Sequence, residues 1–226
     1  MKRAGAVAFA TLFSLSTIAT TGLSGCSEYN REAIDSNNQG MQLLRANRYA
    51  DAREKFQRAA EEDRRFDQPL YNLSLSYIRQ KDWPNAIDAL QRTIARNSNN
   101  AEYHYLLGYS HYQIAIDPAN SESAEGGAHF EQARTAFATA LTKNRGLYMA
   151  QYLTGRIAEA LDEPQDAMRA YTETLRIAPR AYMAYVRLGN LYFQHRLYAQ
   201  AEQVMRAGLQ IAAEGVSERG QMHNVL

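Results

Sequence analysis

The 226-residue sequence contains a single cysteine, Cys26, and nearly equal numbers of basic and acidic residues, 25 and 24. A lone cysteine excludes an internal disulfide and a zinc site built from several thiolates. Because the charges are balanced and no dense basic segment occurs, the sequence lacks the positive surface that nucleic-acid-binding proteins present to phosphates. We therefore expect no nucleic acid among the partners.

The motifs of several common enzyme classes are also missing. No glycine-rich loop is followed by lysine and a hydroxyl residue, and no Gly-x-Ser-x-Gly nucleophile motif is present. Among the five histidines, His104 and His111 share a predicted helical face, where we expect them to pack, and His129, His195 and His223 are isolated. We predict that the protein is not an enzyme and uses no metal, cofactor or small-molecule substrate.

The first 25 residues have the organisation of an export signal. Lys2 and Arg3 precede an apolar stretch over residues 4–19 that is diluted by serine and threonine, which makes it a poor membrane-spanning helix. One interpretation is a plain signal peptide followed by an incidental cysteine. The other depends on the tetrad Leu-Ser-Gly-Cys that ends at Cys26, since an exported protein with one thiol needs a use for it.

The tetrad resembles a bacterial lipobox, and we favour that interpretation. The resemblance implies a cleaved lipoprotein signal peptide over residues 1–25 and acylation of Cys26, for example with palmitate. Each buried methylene contributes about 0.8 kcal/mol, so two or three long chains give a permanent anchor. Ser27 follows the cysteine rather than aspartate, which implies the periplasmic face of the outer membrane, or the cell membrane in a host with one membrane. Residues 26–32 then form the lipidated cysteine and a short tether.

The rest of the sequence carries an internal repeat of 34 residues. Alanine recurs at one place in this unit, at Ala52, Ala86, Ala133, Ala167 and Ala201. Twelve residues earlier, allowing for an insertion in the third unit, small residues recur at Gly40, Ser74, Gly108, Gly155 and Gly189. Four residues after the alanine, large residues recur at Phe56, Leu90, Phe137, Tyr171 and Met205. Small residues where helices cross and large ones between them are typical of stacked helix pairs.

This pattern resembles the tetratricopeptide repeat, although the proline that often ends a unit occurs only as Pro179. The resemblance implies an all-α fold, a right-handed superhelical solenoid of about five helix pairs. The units span residues 33–66, 67–100, 101–147, 148–181 and 182–215. The third unit has an insertion at about 114–127, rich in turn-forming residues, which we expect to be a surface loop. Residues 216–226 are either a capping helix or the start of a sixth unit.

In the tetratricopeptide family, the first helix of each unit lines a concave groove, and positions 5, 9 and 12 point into it. The resemblance implies a partner-binding groove lined by Tyr71, Leu75, Tyr105, Tyr109, Tyr112, Tyr148, Tyr152, Arg156, Asn190 and Phe193. Tyrosine offers apolar area and a hydroxyl at little cost in side-chain entropy, which favours a protein or peptide partner. The alternative is that these tyrosines fill the core. Arg156 and Asn190 alone do not reproduce the basic and asparagine set by which some family members bind a terminal carboxylate.

Together these patterns predict a membrane-anchored periplasmic scaffold for partner proteins or peptides. A lipobox followed at once by repeats resembles the pilotins of type IV pili and related secretion systems, which implies a role in secretin or pilus assembly. The alternative is an adaptor that recruits peptidoglycan-remodelling enzymes at the outer membrane. A third interpretation is an enzyme whose active site is not recognisable among the repeats, but no residue of the sequence supports it.

Overall fold

The computed structural model describes residues 29–120 and 123–223, with side chains through residue 212. These residues form ten helices and no strand, which confirms the all-helical prediction. The helices are α1 (Arg31–Arg45), α2 (Tyr49–Glu62), α3 (Gln68–Arg79), α4 (Trp83–Arg96), α5 (Ala101–Ala115), α6 (Ala124–Lys143), α7 (Tyr148–Ala160), α8 (Pro164–Ile177), α9 (Tyr182–Gln194) and α10 (Tyr198–His223). Helices that follow one another in the chain pack together, and α1 also contacts α3, as expected of stacked pairs.

A left-handed backbone residue ends the first helix of four pairs. Asn47, Lys81, Asp162 and Arg196 have φ values of 58°, 59°, 57° and 61°. A residue in this conformation stops a helix and lets the following N–H groups bond to its last carbonyls. In the first pair, for example, the Arg48 N–H donates to the Leu43 carbonyl over 2.9 Å. The reversal keeps the linker to a few residues, so the second helix returns directly along the first.

The third pair replaces this turn with its insertion, which is only partly the loop expected from the sequence. Residues 114–127 were expected to form a surface loop, but α5 extends to Ala115 and α6 begins at Ala124. Ser123 caps the new helix start, since its hydroxyl accepts a hydrogen bond from the Gly126 N–H over 3.1 Å. The connection between α5 and α6 is therefore residues 116–123, shorter than the expected loop. Compared with the second helices of the other pairs, α6 has more than one extra turn at its N-terminus.

The recurring small and large residues meet where the two helices of a pair cross. A methyl group added at Gly40 would lie 2.6 Å from the Phe56 ring, and one at Gly155 would lie 2.6 Å from the Tyr171 ring. The aromatic side chains of Phe56, Phe137 and Tyr171 are fully buried. Glycine is needed here because the facing ring occupies the space of a Cβ. This contact explains the spacing of small and large residues seen in the sequence.

The first described residues are fixed to the end of the first pair. The Tyr29 ring stacks on Phe66 with centroids 4.6 Å apart. The Asn30 N–H donates to Asp63 Oδ2 over 2.9 Å, and the Arg65 N–H donates to the other oxygen of that carboxylate. Hydrogen bonds from Arg65 and Asn30 lower the pKa of Asp63 to about 2. The chain thus enters the solenoid in a defined position.

The last helix, α10, is continuous over 26 residues. No separate capping helix begins at residue 216, because α10 runs without a break to His223; residues 224–226 lie outside the described part. Among the described residues, no helix has the length and apolarity that crossing a membrane requires. Residues 1–28, including the predicted signal peptide and Cys26, also lie outside the part that the structure describes.

Candidate partner-binding groove

The predicted groove residues lie on four helices that each begin a pair. Helix α3 carries Tyr71 and Leu75, and α5 carries Tyr105, Tyr109 and Tyr112; α7 carries Tyr148, Tyr152 and Arg156, and α9 carries Asn190 and Phe193. Within each helix the residues are spaced by three or four, which places them along one face. Their exposure, however, divides them into three groups.

Four of the predicted residues belong to the core. Tyr71, Leu75, Tyr112 and Tyr152 are only 8%, 8%, 4% and 7% exposed, so the prediction that they offer contact surface is wrong. The Tyr71 ring lies 5.1 Å from Tyr103, and its hydroxyl donates to Glu102 over 2.7 Å. Tyr152 lies 5.6 Å from Tyr171. The Tyr71 contacts therefore link the second pair to the third, whereas Tyr152 packs against α8 of its own pair.

Four others are half-buried and form the middle of the groove: Tyr105, Tyr109, Tyr148 and Arg156. The Tyr105 ring lies 6.4 Å from Tyr109 and 5.9 Å from Phe137. Tyr109 also meets Trp83 edge-on at 5.9 Å. Burial raises the pKa of both Tyr105 and Tyr109, so these hydroxyls remain protonated. The result is a packed aromatic surface, partly open to solvent.

The fifth pair provides the most exposed apolar surface. Asn190 is exposed, Val186 is 42% exposed and Phe193 is 64% exposed. Phe193 packs edge-on against Tyr198 at 5.6 Å. Beside them lies a cavity of about 410 Å³, lined by Gly189, Asn190, Phe193, Tyr198, Ala201, Glu202 and Met205. Exposed aromatic side chains next to a concave space are typical of protein contact surfaces.

A charged cluster between α7 and α9 contains a residue that sequence analysis missed. The Glu159 carboxylate accepts a hydrogen bond from the Tyr171 hydroxyl over 2.9 Å. Nitrogens of Arg156 and Arg187 each lie 3.5 Å from the same oxygen, Glu159 Oε2. Arg187 stands at position 6 of its unit, beside the positions 5, 9 and 12 that the family pattern assigns to the groove. The sequence signal that could have identified Arg187 is its place directly after Val186, which occupies position 5 of the same unit.

A histidine pair connects the insertion to the solenoid. His111 Nδ1 lies 2.8 Å from His129 Nδ1, which is a hydrogen-bond distance. Burial, followed by the charge of His129, lowers the pKa of His111 to about 4. The prediction that His129 is isolated is therefore wrong, because the additional turns of α6 bring it to α5. His104, expected to pack, is buried and bonds through Nε2 to the Ser98 carbonyl over 2.9 Å.

Metal coordination finds no support in the part of the chain with described side chains. No group of three or more histidine, cysteine, aspartate or glutamate residues there is arranged to hold a metal ion. The two paired histidines alone provide two nitrogen ligands, fewer than the three or four protein ligands of typical zinc sites.

Solved structures share this arrangement of helices. A crystal structure of MamA superimposes with a TM-score of 0.70 at 20% identity, covering 79% of this chain and 96% of that one. The structure of YrrB, described as a TPR protein with an unusual peptide-binding site, superimposes with a TM-score of 0.64 at 16% identity, covering 79% and 86%. At these identities the likeness concerns the fold, which is the tetratricopeptide solenoid.

Sequence comparisons agree with the structural ones. The human protein "Tetratricopeptide repeat protein 6" is 31% identical over 122 residues, which is 50% of this chain, and the chain covers 24% of that relative's length. The tetratricopeptide repeat itself matches residues 43–108, 120–181 and 160–216. Repeats of this type generally form binding scaffolds, whose concave surfaces hold other proteins. The chain belongs to the tetratricopeptide repeat family.

Proposed function

We propose that the protein is a lipid-anchored periplasmic scaffold that binds a segment of a partner protein along its first-helix face. The observation that carries the proposal is the set of aromatic side chains that the first helices leave accessible, half-buried Tyr105 and Tyr109 on α5 and exposed Phe193 on α9. Such side chains bind partners well because they bury a large apolar area and lose little conformational entropy. An extended or helical peptide is the kind of partner that a surface of this chemistry binds.

The proposal also includes a lipid anchor at Cys26 and a cellular role in the envelope. The lipobox-like tetrad ending at Cys26, with Ser27 after it, supports attachment to the periplasmic face of the outer membrane. Repeats that follow the anchor at once support a pilotin-like role in assembling a secretin or pilus. In this role the protein would hold a segment of an envelope component while that component reaches the membrane.

Phe193→Ala tests the binding surface. We expect this change to weaken capture of the partner about tenfold, since an aromatic anchor of this kind contributes about 1–2 kcal/mol. The measurement is crosslinking and affinity capture of the detergent-solubilised full chain, quantified by mass spectrometry. Leu209→Ala is the matched control, because Leu209 is 71% exposed but lies on α10, in the second helix of its pair.

The outcome of the capture also decides between the roles. Recovery of a secretin or pilus component, reduced by Phe193→Ala and not by Leu209→Ala, supports the proposal. Recovery of peptidoglycan enzymes with the same pattern supports the adaptor role instead. Equal recovery with both variants contradicts a binding surface at Phe193.

Cys26→Ala tests the anchor. We expect the variant to lose incorporation of labelled palmitate and to leave the membrane fraction, since Cys26 is the only thiol in the chain. Metabolic labelling and fractionation of cells provide the measurement, with Ser27→Ala as a control that keeps the thiol. Undiminished labelling of the alanine variant would rule out the lipobox.

A further inference from the structure

The crossing of α9 and α10 differs chemically from the other crossings in the part of the chain with described side chains. Its large residue is Met205, whereas the equivalent positions of the other pairs hold Phe56, Leu90, Phe137 and Tyr171. Those four side chains are fully buried, but Met205 is only half-buried. Methionine is a common site of oxidation, because its thioether accepts an oxygen atom. The last crossing is therefore sensitive to oxidants in a way that the others are not.

Met205 fills the space left by the small residue on the facing helix. A methyl group added at Gly189 would lie 2.8 Å from Met205 Cε and Cγ and 2.9 Å from its sulfur. The thioether thus packs directly on the backbone of α9, as the Phe56 ring packs on Gly40 in the first pair. A side chain this close to the facing helix cannot become larger or more polar without disturbing the contact.

The same side chain lines a space that is open to solvent. Met205 is one of the residues around the cavity of about 410 Å³ beside Phe193. Phe193 and Tyr198, which also line it, are 64% and 58% exposed. In liquid water one molecule takes up about 30 Å³, so this cavity admits an oxidant as small as hydrogen peroxide. The Met205 side chain is therefore both a packing element and reachable from solution.

We propose that Met205 is a modification site, at which hydrogen peroxide converts the thioether to the sulfoxide and thereby loosens the α9–α10 crossing and weakens partner binding at Phe193. The effect on binding rests on the proposed function, whereas the loosening does not. In the reaction a sulfur lone pair attacks one peroxide oxygen, so that an S–O bond forms and the O–O bond breaks. The hydroxide that leaves takes the proton of the transferred oxygen and becomes water. Sulfur is oxidised by two electrons as the peroxide is reduced.

The sulfoxide changes both properties that the thioether provides. Its oxygen adds volume at the contact with Gly189, and it places a polar acceptor in an apolar wall beside Phe193. Burial of a polar group without a partner is unfavourable, so the crossing and the adjoining surface are both weakened. Methionine sulfoxide reductases restore the thioether, which makes the change reversible. The binding surface at Phe193 would thus respond to the oxidation state of its surroundings.

Hydrogen–deuterium exchange of the full chain in detergent measures the loosening without knowledge of any partner. After peroxide treatment, we expect amides of α9, and of α10 up to residue 212, to exchange about tenfold faster, because a buried polar group without a partner favours local opening. Amides of α1–α4 should keep their exchange rates. Treatment with methionine sulfoxide reductases should then restore slow exchange in α9 and α10.

Met205→Leu is the decisive variant, because leucine fills the equivalent position as Leu90 and forms no sulfoxide. We expect peroxide to leave exchange in its α9 and α10 unchanged, although its other methionines are still oxidised. Met183→Leu is the matched control. Met183 lies on α9 of the same pair and is also half-buried, but it is not among the residues that line the cavity. This variant should respond to peroxide as the unmodified chain does.

Peptide mapping by mass spectrometry makes the result decisive. Unchanged exchange in a chain whose Met205 is fully sulfoxide overturns the inference, and so does faster exchange while Met205 remains a thioether. Equal acceleration in Met205→Leu and the unmodified chain assigns the loosening to other residues. If Met205→Leu does not fold, the time course of the unmodified chain decides, because the oxidised fraction of Met205 and the fast-exchanging fraction must rise together.

Partner capture before and after peroxide treatment tests the effect on binding. Weaker capture by the oxidised unmodified chain, with capture by Met205→Leu unchanged, supports the inference. Unchanged capture by a chain whose crossing has loosened removes the link between Met205 and the binding surface. Failure of the untreated chain to capture any specific partner contradicts the proposed function itself and leaves the exchange result standing.

Discussion

Gly108→Ala is expected to lower the free energy of unfolding by about 1–2 kcal/mol, whereas Gly127→Ala is expected to raise it by about 0.5–1 kcal/mol. Both glycines lie in helices of the third pair, where alanine has the higher helix propensity. At Gly108 the new methyl group would lie 2.8 Å from two carbons of the Phe137 ring and 3.1 Å from the Ala133 carbonyl oxygen. At Gly127 it meets nothing within 4 Å.

The cost at Gly108 arises because neither neighbour moves freely. Phe137 is fully buried, and the Ala133 oxygen belongs to the backbone of α6. Relief therefore requires the two helices to separate, which weakens the whole crossing. Urea unfolding of the two variants beside the unmodified protein provides the measurement.

A double variant isolates the contact itself. Phe137→Leu shortens the facing side chain, so Gly108→Ala should cost less in its presence than alone. If Gly108→Ala and Gly127→Ala change stability by the same amount and sign, glycine at the crossing has no packing role.

Acidification is expected to destabilise the protein through His111. The pKa of this imidazole is about 4 in the folded chain because it is buried and faces His129, against about 6.5 in an unfolded chain. The unfolded state therefore binds the proton more readily. The stabilisation is complete above pH 6.5 and is lost as the pH falls towards 4. Since one pKa unit corresponds to about 1.4 kcal/mol, the loss approaches roughly 3 kcal/mol.

Unfolding free energies at several pH values between 7.5 and 4.5 measure this dependence. His111→Gln removes the titrating group, so its free energy of unfolding should fall less steeply over that interval. His195→Gln is the control, because His195 is exposed and lies outside the pair. An identical slope for His111→Gln and the unmodified protein would contradict the assignment. The carboxylates titrate in all three proteins and cancel in the comparison.

The sequence predicted the helix pairs because their crossings depend on local side-chain volume. The spacing of Gly108 from the alanine and the aromatic residue of its unit reflects one contact, and that contact forms within a single pair. The exposure of the tyrosines depends on the neighbouring pair, which a repeat pattern does not specify. Tyr112 and Phe193 occupy equivalent positions, yet they are 4% and 64% exposed. No described helix follows α10 to cover Phe193 in the way that α7 and its neighbours cover Tyr112.

Two other features escaped sequence analysis for the same reason. The contact of His111 with His129 depends on α6 beginning at Ala124, which a segment rich in turn formers did not predict. Arg187 meets Glu159 because α9 stacks on α7, although 28 residues separate the two in the chain. The repeat motif therefore does not predict these polar and charged contacts.

The docking of Tyr29 on Phe66, and of Asn30 on Asp63, would limit the distance between the solenoid and a lipid anchor at Cys26, if Cys26 is acylated as proposed. Only Ser27 and Glu28 stand between Cys26 and Tyr29, and three fully extended residue steps span at most about 11 Å. With Cys26 acylated, as proposed, this maximum length of the connecting segment is about equal to the Debye length in physiological salt. Unit one would then interact electrostatically with the lipid headgroups. Unit five, which carries Phe193, would be the end farther from the bilayer.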